Sequence, residues 1–185
     1  MINVKEQTIS EIQEKLLTMN TGLNKIAYLE SALKQNFSYD IQRFLWQKIT
    51  DCYEERKMFE KAAKAMSAKS AIEITFKDKI ESCLKSAELY TKAGKIEFAE
   101  ELFQRASREA NSQEKAKIKL TKKNLYLLEA QGLEKQGKRV TALKFYEHLI
   151  KTDLDDFEKQ EIKVKLLDAY KALGKFREAK LLEGL

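Results

Sequence analysis

The sequence predicts an all-α fold built from repeated helical hairpins. Among its 185 residues, 35% are charged, none is proline and six are glycine, so few positions interrupt a helix. Apolar residues recur at spacings of three and four, as they do on one face of a helix. A large residue, a turn residue and an alanine also recur in a fixed order, which indicates a tandem repeat.

The clearest copy of this pattern is Ala87–Ala106, AELYTKAGKIEFAEELFQRA, in which Gly94 separates two amphipathic segments. Glycine adopts positive φ at low cost, so the chain can turn back here and bring the two apolar faces together. The spacing of Tyr90, Gly94 and Ala99 recurs at four other places: Thr18, Gly22 and Ala27; Tyr53, Lys57 and Ala62; Leu133, Gly137 and Ala142; Tyr170, Gly174 and Ala179. The predicted hairpin corners are therefore Gly22, Lys57, Gly94, Gly137 and Gly174.

Five hairpins are expected in a single domain over residues 1–185, with units at about 1–37, 38–70, 71–110, 111–152 and 153–185. Their first helices are predicted near residues 4–19, 39–55, 71–93, 113–136 and 157–173. Their second helices are predicted near residues 23–35 and 59–69, up to about 109, and near 140–150 and 176–185. In the third hairpin, the first helix carries a predicted apolar stripe at Ile72, Phe76, Ile80, Cys83, Ala87 and Tyr90. In the fourth hairpin, the first helix carries one at Leu120, Tyr126, Ala130 and Leu133. Thr152 or Asp153 is expected to cap the fifth.

Ala87–Ala106 and the segment LLDAYKALGKFREAKLL, residues 166–182, resemble the tetratricopeptide repeat, with its large residue, turn glycine and second-helix alanine in order. Trp46, Ile49 and Tyr53 are similar to the packing residues of that family's first helix. The resemblance implies a right-handed α-solenoid of about ten helices that acts as a scaffold for binding other proteins. The units here are longer than the family's roughly 34 residues, and Lys57 stands in place of a turn glycine.

No motif for catalysis, phosphate binding or metal binding is present, so neither an enzyme nor a cofactor is expected. His148 has no cysteine nearby and no carboxylate at a fixed spacing, which favours a structural role. Cys83 lies on an apolar stripe, and Cys52 is more ambiguous. The absence of an apolar leader or of a long apolar run, together with only two cysteines, favours a reducing cytoplasm.

The inner face of the superhelix is the first candidate binding surface, because the resemblance implies that first helices line it. Carrying this over by position gives a groove of four trios, each on one helical face: Gln47, Asp51 and Glu54; Leu84, Glu88 and Thr91; Leu127, Gln131 and Glu134; Val164, Asp168 and Lys171. A peptide or helix with apolar anchors and some Lys or Arg is the expected partner. A solvated groove without a ligand is the alternative, because exposed charge is normal on any helix.

A basic patch is the second candidate surface. Its members are Arg105, Arg108, Lys115, Lys119, Lys122 and Lys123. It could contact the backbone of RNA or DNA, or an anionic membrane surface, by electrostatic attraction. A solvated lysine face balanced by the acids of residues 153–161 is favoured over this, because interleaved aromatic side chains are missing.

The C-terminal segment offers a third surface. Repeat arrays usually end in a polar capping helix. Here the final predicted helix carries Phe176, Leu181, Leu182 and Leu185 with no cap after it. We therefore expect either self-association through this end or a partner that covers it.

Overall fold

The computed structural model describes residues 4–152 and 154–184. Over these ranges the chain forms ten α-helices and no strand, so the predicted all-α class is confirmed. The helices are α1 (Ile9–Thr18), α2 (Gly22–Ala32), α3 (Tyr39–Glu55), α4 (Phe59–Ala71), α5 (Phe76–Lys92), α6 (Ile96–Glu109), α7 (Ser112–Lys135), α8 (Arg139–Leu149), α9 (Asp156–Ala172) and α10 (Phe176–Glu183).

Four of the five predicted hairpin corners are confirmed by their backbone. Lys57, Gly94, Gly137 and Gly174 have φ values of 57°, 69°, 74° and 71°, in the left-handed region. At each of them the next amide donates to the carbonyl five residues earlier, as Lys95 does to Tyr90 at 2.9 Å. This bond is the mark of a Schellman motif, which ends one helix and turns the chain toward the next.

The first hairpin departs from the prediction. Gly22 is the first residue of α2 rather than the corner, and Thr21 caps that helix by accepting a hydrogen bond from the Asn24 amide at 3.2 Å. Ala27, the expected counterpart of buried Ala99, is exposed, and Ile26 is buried instead. The repeat frame in this hairpin is therefore displaced.

The second helices provide a more regular frame than the glycines. They begin at residues 22, 59, 96, 139 and 176, which are separated by 37, 37, 43 and 37 positions. The helices α3, α5 and α9 each have 17 residues, whereas α7 has 24. The longer interval thus coincides with about two extra turns in α7.

Residues 1–118 form one compact unit, here called unit 1. Within it, α2 packs against α3, α3 against α4, α4 against α5, and α5 against α6. Alanines on second helices, such as Ala62, Ala63 and Ala99, are fully buried and allow close helix approach, and the larger side chains of Tyr28, Leu45 and Leu89 are fully buried as well.

Residues 119–185 form the second compact unit, unit 2. Here α9 packs against both α8 and α10. The rings of Tyr126 on α7 and Phe145 on α8 meet edge to face with centroids 5.5 Å apart. Both rings are fully buried, as is Leu166 of α9, so the core of this unit is aromatic and aliphatic.

Other predictions of helix boundaries or burial are also wrong. The first helix, predicted near residues 4–19, begins at Ile9 with Thr8 as its cap. The chain leaves the helix between Ala71 and Phe76, because the Thr75 hydroxyl accepts from the Asp78 amide at 3.1 Å and starts α5 there. This leaves Phe76 66% exposed rather than on the buried stripe.

Leu120, placed on the stripe of α7, is 53% exposed, and Ile118 is buried instead. The cap of α9 is Asp155, not Thr152, and it forms a reciprocal capping box with Glu158. Asp153, the alternative cap, and Leu185 of the predicted C-terminal surface lie outside the described residues.

Candidate functional site

In unit 1 the exposed faces of α3 and α5 form a continuous ion-pair network. Glu54 of α3 accepts from Lys85 of α5 at 3.0 Å and lies 3.6 Å from Lys92. Glu88 pairs with the same two lysines, at 3.6 Å and 2.6 Å. Because Glu54 and Glu88 share both lysines, two of the predicted groove residues from different first helices belong to one surface. We call this surface, comprising Gln47, Asp51, Glu54, Leu84 and Glu88, the first-helix face of unit 1.

The acids of this face are compensated within the chain. Gln47 donates to Asp51 at 2.8 Å and accepts from Lys69 of α4 at 3.0 Å. Burial opposes ionisation of Glu88, but its hydrogen bond to Lys92 and the charge of Lys85 outweigh burial and hold the pKa of Glu88 below its usual value. The sequence pattern indicated Gln47, Glu54 and Glu88, but it indicated neither Lys69 as the partner of Gln47 nor Lys85 and Lys92 as the partners of the two acids.

Thr91 does not belong to an accessible groove. It is 1% exposed, and its hydroxyl donates to the Ala87 carbonyl of its own helix at 2.8 Å. The prediction failed here because Thr91 lies one residue after Tyr90, near the buried side of α5. Its polar group is satisfied locally, which is why it can be buried at low cost.

In unit 2 the predicted groove residues are less closely joined. Glu134 of α7 and Asp168 of α9 line one cavity of about 270 Å³, together with Arg139, which the sequence analysis did not select. Glu134 also accepts from the Tyr146 hydroxyl at 2.9 Å. Leu127 and Gln131 are half-buried, Val164 is 55% exposed, and Lys171 pairs with Glu183 of α10 at 2.9 Å.

The lysines of the predicted basic patch are distributed over both units. Arg105, Arg108 and Lys115 belong to unit 1. In unit 2, Lys119, Lys122 and Lys123 line a cavity of about 400 Å³ that also includes Lys151, a residue the sequence analysis missed. Lys123 forms an ion pair with Glu158, so part of the acidic segment 153–161 does balance this face.

A pair of grooves lies on a different side of the hairpins. Groove 1, of about 500 Å³, lies among α2, α3 and α4, and is bounded by Leu33, Lys34, Trp46, Ile49, Lys61 and Lys64. Groove 2, of about 420 Å³, lies among α8, α9 and α10. Each described residue that lines groove 2 stands 117 positions after one that lines groove 1, so the two grooves occupy the same place in the repeat.

Each groove contains an equivalent hydrogen-bonded pair of a tyrosine and a glutamate. Tyr53 donates to Glu30 at 2.5 Å in groove 1, and Tyr170 donates to Glu147 at 2.9 Å in groove 2. Each pair joins a first helix to the second helix of the preceding hairpin, 23 residues upstream. These bonds therefore connect neighbouring hairpins.

The histidine and the cysteines are not gathered into a site. Cys83 is buried, and burial raises the pKa of its thiol. Cys52 and His148 are half-buried, on α3 and α8. Within residues 4–152 and 154–184, no group of three or more His, Cys, Asp or Glu residues could hold a metal ion.

No described helix combines the length and the apolar character that crossing a membrane requires. None of the protein-family models matches the sequence, and neither the curated proteins nor the solved structures gave a match.

Proposed function

We propose that this chain is a protein-interaction scaffold, an α-solenoid of tetratricopeptide-like hairpins that binds a peptide or helix on its first-helix faces. The single observation that carries the proposal is the shared network of Glu54, Lys85, Glu88 and Lys92. It supports the proposal because half-exposed side chains from two successive first helices lie within reach of one extended ligand. Repetition of such faces is the way in which helical arrays recognise extended ligands.

The charge pairing refines the partner that we propose. Lys85 and Lys92 already compensate Glu54 and Glu88, so a basic partner would exchange existing ion pairs for new ones and gain little. Apolar anchors next to Leu84, which is half-exposed, then supply more of the binding free energy than Lys or Arg side chains do. We therefore propose a partner with apolar side chains at regular spacing and few basic groups.

Charge reversal tests the proposal. Full-length chain carrying Asp51→Lys, Glu88→Lys and Asp168→Lys is compared with wild type for the proteins it retains from extracts of its native host, identified by mass spectrometry with and without nuclease. A control with the same charge change is Glu14→Lys, Glu101→Lys and Glu161→Lys, at exposed positions outside the predicted groove. We expect the groove variant to lose a nuclease-resistant partner that the control keeps, because Glu88→Lys breaks the pairs with Lys85 and Lys92 and leaves uncompensated lysines next to the apolar contact at Leu84. Equal retention by both variants, with unchanged helical circular dichroism, would refute the proposal.

Contact with RNA or DNA is the second candidate function. The observation that favours it is the gathering of Lys119, Lys122, Lys123 and Lys151 around one cavity. Such contact would be weak and non-specific, and its affinity would fall steeply with salt. A mobility shift at low salt that Lys119→Glu with Lys151→Glu abolishes supports this function, whereas no shift at low salt excludes it.

A reducing compartment, the cytoplasm, is the location we propose. The location is supported by Cys52 and Cys83, which are free thiols and form no disulfide. Imaging of a tagged chain in its host tests this location.

A further inference from the structure

We propose that groove 1 binds an acidic protein segment that carries apolar side chains. This proposal shares with the proposed function only that the ligand is a protein. The groove and the first-helix face have no residue in common, although both include residues of α3.

The shape of groove 1 suits a side-chain-bearing ligand. Its floor is formed by Ile49 and Ala65, which are 2% and 3% exposed, and its walls by half-exposed Leu33 and Trp46. A volume of about 500 Å³ lies within the roughly 300–1,000 Å³ range of ligand-binding clefts. A half-exposed tryptophan beside an apolar floor is the kind of anchor on which binding energy concentrates at protein interfaces.

The charges around groove 1 indicate the sign of the ligand. Lys34, Lys61 and Lys64 lie on its rim, and Glu30 is its one carboxylate. Glu30 accepts the Tyr53 hydroxyl, and the Lys61 ammonium lies 5.7 Å from the centre of that tyrosine ring. Lys64 pairs with Glu60 on the surface at 2.8 Å, whereas the described residues provide no ion pair for Lys34. The lining residues thus carry three lysines against one carboxylate, and this positive charge complements an acidic segment.

The equivalent sites elsewhere in the repeat show that two of these three lysines, Lys61 and Lys64, are particular to groove 1. Groove 2 has Glu178 where groove 1 has Lys61, and Leu181 where groove 1 has Lys64. In the hairpin between, Phe98 takes the position of Lys61 and stacks on Tyr90, with ring centroids 5.3 Å apart. The backbone plan is shared, and Lys151 of groove 2 corresponds to Lys34, but groove 2 has no lysine at the positions of Lys61 and Lys64. Groove 2 therefore provides a control within the same molecule.

Trp46 gives a direct readout, because it is the only tryptophan of the chain. The probe is a synthetic peptide with Leu at positions i, i+3 and i+4 and Glu elsewhere. Two control peptides replace either every Glu with Lys or every Leu with Ser. We expect the acidic peptide to shift Trp46 emission to shorter wavelength in a saturable way, and both control peptides to bind at least about tenfold more weakly.

The variant that tests the rim is Lys34→Glu, Lys61→Glu and Lys64→Glu. It should weaken binding of the acidic peptide by about tenfold or more, because each lost attraction becomes a repulsion. The control Lys144→Glu, Lys159→Glu and Lys180→Glu, at exposed positions that line neither groove, changes net charge equally and should leave affinity nearly unchanged. Glu178→Lys in groove 2 should also leave it unchanged.

Several outcomes would overturn the proposal. The first is no change of Trp46 emission with the acidic peptide. The second is an affinity of the rim variant for this peptide equal to that of wild type. The third is an affinity of wild type for the lysine peptide equal to that for the acidic peptide. A response to single-stranded RNA or to phosphatidylserine vesicles, without one to the acidic peptide, would also overturn it. A separate variant carrying only Asp51→Lys and Glu88→Lys distinguishes this proposal from the proposed function, because these changes should not affect peptide binding in groove 1.

Discussion

At the scale of single residues, the tyrosines before the hairpin corners connect one hairpin to the next. The sequence was sufficient to recognise Tyr53, Tyr90 and Tyr170 as equivalent large residues of the repeat. It could not predict that Tyr53 and Tyr170 donate to glutamates 23 residues upstream, since this depends on how neighbouring hairpins pack. Tyr90 differs because Phe98 stacks on its ring.

These hydrogen bonds predict a loss of stability at alkaline pH. Burial, helped by the hydrogen bond and charge of Glu147, raises the pKa of Tyr170 to about 12. An unfolded tyrosine has a pKa of about 10, so between these values the folded state binds more protons than the unfolded state. The contribution of Tyr170 to the free energy of unfolding is therefore complete below about pH 10 and declines as pH rises toward 12.

Denaturant unfolding at several pH values between about 8 and 12 measures this effect. Tyr170→Phe should show a shallower decline above about pH 10 than wild type, and should cost about 1 kcal/mol at neutral pH through the lost hydrogen bond. Tyr39→Phe is the matched control, since Tyr39 is 65% exposed. A decline as steep in Tyr170→Phe as in wild type would contradict the assignment.

At the scale of helices, the limits of sequence prediction follow from local competition. The repeat pattern placed α3 at its observed limits and located four corners, because periodicity and left-handed turn positions are local signals. It failed at Gly22 and over residues 72–75, where Thr21 and Thr75 cap new helices. An N-cap hydroxyl competes with helix continuation, and the apolar pattern does not record that competition.

The four left-handed corners predict opposite effects of two substitutions. A Cβ at Gly174 would meet no atom within 4 Å, so Gly174→Ala should cost only backbone strain, about 1–2 kcal/mol. Lys57 already carries that strain at φ 57°, so Lys57→Gly should be neutral or stabilising by less than about 1 kcal/mol.

Thermal and denaturant unfolding of both variants measures the difference. Gly132→Ala is the control, because Gly132 lies inside α7 with open space around it, and alanine should stabilise that helix by about 1 kcal/mol. Destabilisation by Lys57→Gly comparable to that of Gly174→Ala would show that left-handed strain is not what distinguishes the two corners.

At the scale of the whole molecule, the helical repeat was predictable and the grooves on its surface were not. Tandem spacing indicated ten helices in five pairs, and the described residues form ten helices. Which surfaces stay open depends on the side chains at equivalent positions, as Lys61, Phe98 and Glu178 illustrate. Ion pairs such as Lys123–Glu158 join helices that are distant in sequence, so charge patterns alone overstate the free charge of a face.

The C-terminal helix leads to a prediction about assembly. Phe176 and Leu181 of α10 are 63% and 66% exposed, and Leu181 lines groove 2. We expect concentration-dependent self-association through this helix, which Leu181→Glu should reduce by placing a charge at the contact. Light scattering over a range of concentrations measures it, with Leu17→Glu on α1 as the control at another exposed leucine. A strict monomer at high concentration would contradict the expectation.

Phe98 has one consequence for how such a chain diversifies. It is 48% exposed, and its ring lies where grooves 1 and 2 have Lys61 and Glu178. Replacing Phe98 with alanine would uncover the ring of Tyr90 and open a third groove, equivalent to grooves 1 and 2, on the same backbone. In a hairpin array of this kind, one substitution can therefore open a groove, close it or change its charge, while the helices that carry the groove stay unchanged.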